Sequence, residues 1–362
     1  MKVGLDLLFL VPGQTGGRET YARELLRGLV AERPDLELTA LVNRETTGAG
    51  FWEEAAHVVR VGSSGVARGS WALGELARLP RAARGLDLVH GVANFGPVAG
   101  GPPRVLTVHD VLWRKLPEAV PTAMRLGTNV LVTGAARRAR RVITVSHASA
   151  ADLASELGIT NVDVVPNGVT PPPADPPPPA DVGQGERPLV LSVASDLPHK
   201  NLAALIDGLA ALDDRPVLAF AGHGTDTGGL RARAAQAGVA DDVRLLGAVD
   251  PHRLESLYAA AAVVATPTRF EGFGLPVLEA MARGVPVACS TLPVLEEVAG
   301  DAAVYFDAAN PGSIAGAIRT ALTEGDRLRT AGRQRAAQFS WAAAARATAE
   351  VYERALGRFL GL

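Results

Sequence analysis

The chain has 362 residues, 48% of them hydrophobic and 20% charged, with 39 Gly, 25 Pro, one Cys and a formal net charge of −2. That length exceeds what one hydrophobic core usually serves, so two domains of roughly 150–200 residues are expected. The near-neutral balance excludes wholesale nucleic-acid binding, and the composition excludes a fibrous or largely disordered chain.

Short Val/Leu/Ile runs alternate with Ala-rich helical patterns, the signature of βαβ units around parallel sheets. The opening KVGLDLLFL carries Asp6 within its apolar part and reads as a first strand rather than a secretory leader. VPGQTGGRETYARELL follows, where Gly16-Gly17 stand at a helix start and let backbone amides approach a ligand. Taken alone, this is a helix-start turn, and it is neither a Walker A nor a GxGxxG motif. Further strands are expected at LELTALVN, DLVHGV, RVLTVHD, RVITVS and VDVVPNG.

His109 ends RVLTVHD, where ligands of open α/β sheets bind. It is either a structural histidine or, with Asp110 orienting it, an ionisable pair at the crevice. Residues 1–170 carry 19 Lys+Arg against 16 Asp+Glu, and part of that excess lies in ARRARR, ending at Arg141. That run reads as a solvated helix face or as a contact with an anionic membrane or acceptor. Asn167-Gly168, in VPNGV, reads as a turn or a hinge near the ligand.

Seven prolines between Pro171 and Pro179 forbid helix and central strand, so 171–185 is expected to be a semi-rigid connector. It would separate an N-terminal Rossmann-like domain, 1–170, from a C-terminal one, 186–340. The pattern restarts at PLVLSVAS and continues through PVLAFAG, VRLLGA, AVVATPT, VPVACS and AAVYFD. The last segment, 341–362, is expected to be a helix packing back across the N-terminal domain.

In SDLPHKNL, Lys200 and Asn201 place an ammonium beside the free amides of a helix start, which suits a diphosphate; the plainer reading is a surface lysine near a cap. GHGTDTGG has GxGxxxG spacing and carries little weight as a dinucleotide loop. The stretch EGFGLPVLE, Glu271–Glu279, follows AVVATPT. Pro276 and Gly284 bound a helix of about two turns whose first amides, at Gly274 and Leu275, point outward and should bind an anion. Phe273 lies between Gly272 and Gly274, glycines that leave room for a phosphate. Glu279, one turn in, is placed to accept hydrogen bonds from sugar hydroxyls, while Glu271 faces the other side of the anion. No Asp-x-Asp and no Cys/His cluster with ligand spacing is present, so no metal or cofactor is expected. Cys289 reads as a buried small hydrophobe in a reducing, cytoplasmic setting.

Glu, seven residues, Glu, with FGLP inside, together with the Gly-Gly turn, TVHD, VVPNGV and PHKN, resembles the retaining GT-B glycosyltransferases of family four. The resemblance implies two doubly wound domains facing each other across a cleft, and transfer of a hexose from a nucleotide-diphosphate sugar to a hydroxyl acceptor, glycan, lipid or secondary metabolite. It implies that Lys200, Glu271 and His109 serve the reaction, His109 by contacting the donor sugar. By the same resemblance Gly16 and Gly17 lie against the transferred sugar and phosphate, Val249 flanks the base, Asn167 marks where the domains join, and the acceptor lies on the N-terminal domain. The departure is Ala194, where many members carry an arginine; His199 and Arg269 are the nearby alternatives. A sugar-nucleotide epimerase of related plan and a catalytically degenerate binding partner are the other readings.

Overall fold

A computed structural model describes every residue except 47–49, 97–99, 176, 179, 181, 183–186 and 359–362. The chain divides into two units, Met1–Gly168 with Ser340–Leu362, and Val169–Phe339.

The first unit holds β1 (Lys2–Leu7), β2 (Glu37–Val42), β3 (His57–Arg60), β4 (Leu88–Gly91), β5 (Arg104–Thr107), β6 (Arg141–Thr144) and β7 (Val162–Val164). They pair in parallel in the order β3-β2-β1-β4-β5-β6-β7. The second unit holds β8 (Leu189–Val193), β9 (Val217–Ala221), β10 (Val243–Leu245), β11 (Ala261–Thr266), β12 (Val287–Ser290) and β13 (Ala303–Phe306), parallel in the order β10-β9-β8-β11-β12-β13. Each sheet is doubly wound, and its order reverses beside its first strand, so the ligand crevice of each unit lies beyond the carboxyl ends of β1/β4 and β8/β11.

Central strands such as β9 are buried throughout, which explains their continuous apolar runs. β3 differs: only its middle valines are partly buried and its ends are exposed, because it is a four-residue edge strand. The helix Gly17–Glu32 buries Tyr21, Ala22, Leu25, Leu26, Gly28 and Leu29, one face at helical spacing. Its partner is the helix Trp341–Ala355, in the same unit. Gly28 makes this close crossing possible, since a Cβ there would stand 2.8 Å from both Ala345 Cβ and the Trp341 carbonyl oxygen. Each large apolar side chain so enclosed contributes about 1.5–3 kcal/mol.

Of the expected 171–185 connector, residues 176, 179, 181 and 183–185 lie outside the described residues. Its described part forms neither helix nor strand, and the Ala180 amide donates to the Ser256 carbonyl at 2.9 Å.

Candidate active site

In the second unit the loop after β11 runs from Pro267 to Gly274 and opens the helix Leu275–Ala282. Gly274 caps that helix at φ 102°, a left-handed conformation that glycine adopts without strain; a Cβ there would stand 2.6 Å from Leu295 Cδ2. Pro276, in the first turn, has no N–H to leave unpaired, and the leading amides of the helix face outward with its positive dipole end. Phe273 is buried and packs edge-on against Phe339, ring centroids 5.9 Å apart, which anchors the loop just before those amides.

The loop after β8 is stitched to this one. The His199 carbonyl accepts from the Arg269 amide at 2.7 Å and lies 3.1 Å from the Thr268 hydroxyl. Asn201, in the left-handed region at φ 55°, donates through Nδ2 to the carbonyls of Pro267 and Ala308, each at 3.2 Å. These main-chain clamps bring Lys200 to Glu271: Nζ and Oε1 are 2.5 Å apart, with both side chains mostly shielded from solvent. A desolvated ammonium and carboxylate thus stand side by side in the loops preceding two helices of one unit.

Glu279 is held from behind. The Tyr258 hydroxyl donates to its Oε2 at 2.9 Å, leaving Oε1 for another donor. Arg283 stacks over the Tyr258 ring at 5.0 Å and is gripped by both carboxylate oxygens of Glu255. Burial is the main influence on the Glu279 carboxyl and raises its pKa, against the hydrogen bond from Tyr258 and the Arg283 charge, which lower it. Tyr258 lies in the last turn of the helix Pro251–Ala260, capped by Asp250, whose carboxylate accepts the Arg253 amide at 2.8 Å. Val249, partly buried, immediately precedes that cap, in the loop after β10. Gly247 of the same loop binds the loop after β9: its amide donates to Thr225 Oγ1 at 3.1 Å, and its carbonyl accepts the Gly222 amide at 2.7 Å. Gly222 leaves no room for a side chain beside Ala194, since a Cβ there would stand 2.1 Å from the Ala194 carbonyl oxygen.

The other candidates belong to the first unit. Gly16, at φ 61°, precedes the helix that begins at Gly17, and nothing lies within 4 Å of where its Cβ would be. His109, just past β5, is buried; its Nε2 lies 2.9 Å from the Val92 carbonyl, an acceptor only, so Nε2 carries the proton. Its amide donates to Asn94 Oδ1 at 2.7 Å, and its ring meets Tyr21 edge-on at 4.6 Å. Burial pushes the imidazole pKa down to about 4, so the ring is neutral at pH 7. Val92 rather than Asp110 orients the ring; the Asp110 carboxylate instead accepts the Leu112 amide at 3.0 Å. Asn167 is buried, and its Oδ1 has no hydrogen-bond partner among the described residues, a polar atom available to a ligand.

The structure therefore joins Lys200 to Glu271 and places Phe273, Gly274, Leu275, Glu279 and Val249 on the same unit, while Gly16, Gly17, His109 and Asn167 lie on the other. Sequence reading missed Tyr258, Arg283 and Asn94, which act through partners distant in sequence. Asn94 alone left a trace, because a non-glycine residue at φ 66° is most often Asn or Asp. Among the described residues no group of three His, Cys, Asp or Glu side chains could hold a metal ion.

A family model described as glycosyl transferases group 1 matches residues 180–339, and one described as glycosyltransferase family 4 matches residues 15–171. The MMP alpha-(1->4)-mannosyltransferase of Mycolicibacterium hassiacum is 30% identical over 234 residues, 62% of this chain and 56% of that protein. The chain spans about half or less of the length of the first curated relatives it matches. Sucrose-phosphate synthase from Thermosynechococcus elongatus superposes with a TM-score of 0.79 at 20% identity, covering 99% of this chain and 100% of that one. HepE from Anabaena, solved in complex with UDP and glucose, gives 0.77 at 21% identity, covering 98% and 100%. With one family model matching the first unit, the other the second, and this likeness of fold over nearly the whole chain, the protein belongs to the group 1, family 4 glycosyltransferases of GT-B fold.

Proposed function

We propose that the chain transfers a hexose from a nucleotide-diphosphate sugar to a hydroxyl acceptor with retention of anomeric configuration and without a metal ion. The observation that carries this is the 2.5 Å pairing of Lys200 Nζ with Glu271 Oε1 beside the start of the helix Leu275–Ala282. An ammonium and outward amides meet a diphosphate; the adjacent carboxylate meets sugar hydroxyls. Glu279, with one oxygen held by Tyr258, offers the other to the ribose. HepE, bound to UDP and glucose, and the mannosyltransferase relative support a nucleotide donor and a hexose cargo.

In the proposed step the bond between the sugar C1 and the β-phosphate oxygen breaks as the acceptor oxygen bonds to C1 on the same face. The acceptor proton passes to the departing phosphate oxygen, so no protein nucleophile is needed. Lys200 and the helix amides stabilise the negative charge that grows on the diphosphate, and charge placement of this kind is commonly the largest catalytic contribution. His109, neutral and fixed as its Nε2–H tautomer, is assigned with Gly16 and Gly17 to the transferred sugar, and the acceptor to the first unit. Asn167, through its unpartnered Oδ1, and Val249 complete the donor set. A nucleotide-sugar donor also assigns the protein to the cytoplasm.

The test is nucleoside-diphosphate release from UDP-, GDP-, ADP- and dTDP-sugars across an acceptor panel, with the product anomer read by proton NMR. Turnover should survive EDTA, and Lys200→Ala and Glu271→Ala should each lower kcat by about 100-fold or more with the fold intact. Near-normal variant rates, an inverted product or loss of activity in EDTA would overturn the corresponding part. Ala194 favours one second reading, a donor-binding protein without turnover; intact donor binding with no release across the panel would establish it.

A further inference from the structure

No carboxylate side chain stands between Glu118 and Asp152, a span that contains the helix Thr122–Arg138 of the first unit. Val132, Ala135 and Ala136 turn that helix's inner face into the unit, where Asn129 Oδ1 accepts from Trp113 Nε1 at 3.3 Å. The opposite face, at helical spacing, presents Ala123, Leu126, Gly127, Val130, Arg137 and Arg138. Leu126 is 61% exposed, Val130 70% and neighbouring Met124 38%, three of the few large apolar side chains so exposed among the described residues. A Cβ on Gly127 would meet nothing within 4 Å, so the face is uncovered.

The charge around that apolar strip is predominantly basic, with Glu118 beside Arg125 at the start of the helix. Arg125, Arg137, Arg138 and Arg140 form no ion pair among the described residues, whereas Arg114, Lys115 and Arg141 nearby are paired with Glu156, Asp152 and Asp163. Arg104 on β5 lies close enough to Arg138 that burial, and then the Arg138 charge, hold its pKa below the ordinary value. Apolar side chains at the centre with unpaired guanidinium groups around them match an interface whose outer layer is anionic and whose interior is hydrocarbon.

We infer that the outward face of the helix Thr122–Arg138 docks on an anionic lipid bilayer, Leu126, Val130 and Met124 entering the acyl boundary and Arg125, Arg137, Arg138 and Arg140 resting on lipid phosphates. The inferred contact is peripheral; no helix among the described residues is long and apolar enough to cross a membrane. Nucleic acid would leave the apolar strip unused, and a second copy of the chain would bring four further unpaired arginines against the first four.

The test is co-sedimentation of the full chain with vesicles of equal parts phosphatidylglycerol and phosphatidylcholine, and with phosphatidylcholine alone. Binding is expected to the mixed vesicles only and to weaken with salt as the screening length shortens. Removing one guanidinium, as in Arg137→Gln or Arg138→Gln, should weaken partitioning roughly fivefold. Leu126→Glu with Val130→Glu should abolish it, with circular dichroism and donor turnover unchanged, because both side chains are exposed. Failure to pellet with mixed vesicles overturns the inference, as does equal pelleting of the glutamate variant. A concentration-dependent dimer dispersed by the same substitutions, without vesicle binding, would assign the face to a second copy instead.

Discussion

Tyr258 acts on the proposed donor site through a single oxygen atom. Its hydroxyl occupies Oε2 of Glu279 and leaves Oε1 to another donor, and Arg283, held by Glu255, stacks over the phenol ring. Tyr258→Phe removes that donor and keeps the ring, so the donor KM should rise about tenfold while kcat changes little. The loss should shrink for a 2′-deoxyribose donor, which has one hydroxyl fewer to engage Glu279; an equal loss for both would refute the link to the ribose. The pH dependence has a definite sign. Burial raises the Glu279 pKa, so its carboxylate is protonated at higher pH than an ordinary glutamate, and donor affinity falls as the solution is acidified through that raised value. The Tyr258 hydrogen bond lowers the pKa, so in Tyr258→Phe the acid limb should move to higher pH. A KM–pH profile unmoved by the substitution would count against it.

At the scale of elements, the helix Leu275–Ala282 depends on how its first residue is placed. Gly274→Ala puts a methyl into left-handed backbone and 2.6 Å from Leu295 Cδ2. The expected result is a stability loss of about 1–3 kcal/mol, with donor affinity lost alongside it, both read by thermal melts with and without nucleotide. This helix was legible in the sequence because Pro276 and Gly284 mark its limits and βα alternation places it after a strand. Twelve of the thirteen strands among the described residues were legible for the same reason, as buried parallel strands read as unbroken apolar runs. β3 was not: its two partly buried valines lie between exposed His57 and Arg60, as an edge permits. The stitching of the Lys200 loop to the Glu271 loop was equally hidden, because main-chain bonds such as Arg269 to His199 carry no side-chain signature. Tyr258 left no sign either: it meets Glu279 across 21 residues, and nothing in the intervening sequence sets that distance.

For the whole molecule, the helix Trp341–Ala355 is the element that completes the first unit from the far end of the chain. Tyr352 sends its hydroxyl to His90 Nδ1 at 2.8 Å, His90 Nε2 meets Thr107 Oγ1 at 2.7 Å, and Thr107 meets the Tyr21 hydroxyl at 3.0 Å, a buried relay ending beside His109. Truncation after Phe339 should therefore leave Tyr21, Gly28 and His90 without their covering helix. Limited proteolysis of such a chain is expected to degrade Met1–Gly168 first, with Val169–Phe339 surviving longer; equal resistance of the two would contradict this.

The chain departs from the first unit at Gly168 and rejoins it at Ser340, and these two points touch, a Cβ on Gly168 standing 2.1 Å from the Trp341 amide nitrogen. Synthesis runs from the N-terminus, so the portion begun earliest is finished last. A nascent polypeptide released from the ribosome short of Tyr352 should carry a settled second unit and an unsealed first one, and protease digestion of stalled chains of increasing length should find resistance appearing in that inverted order.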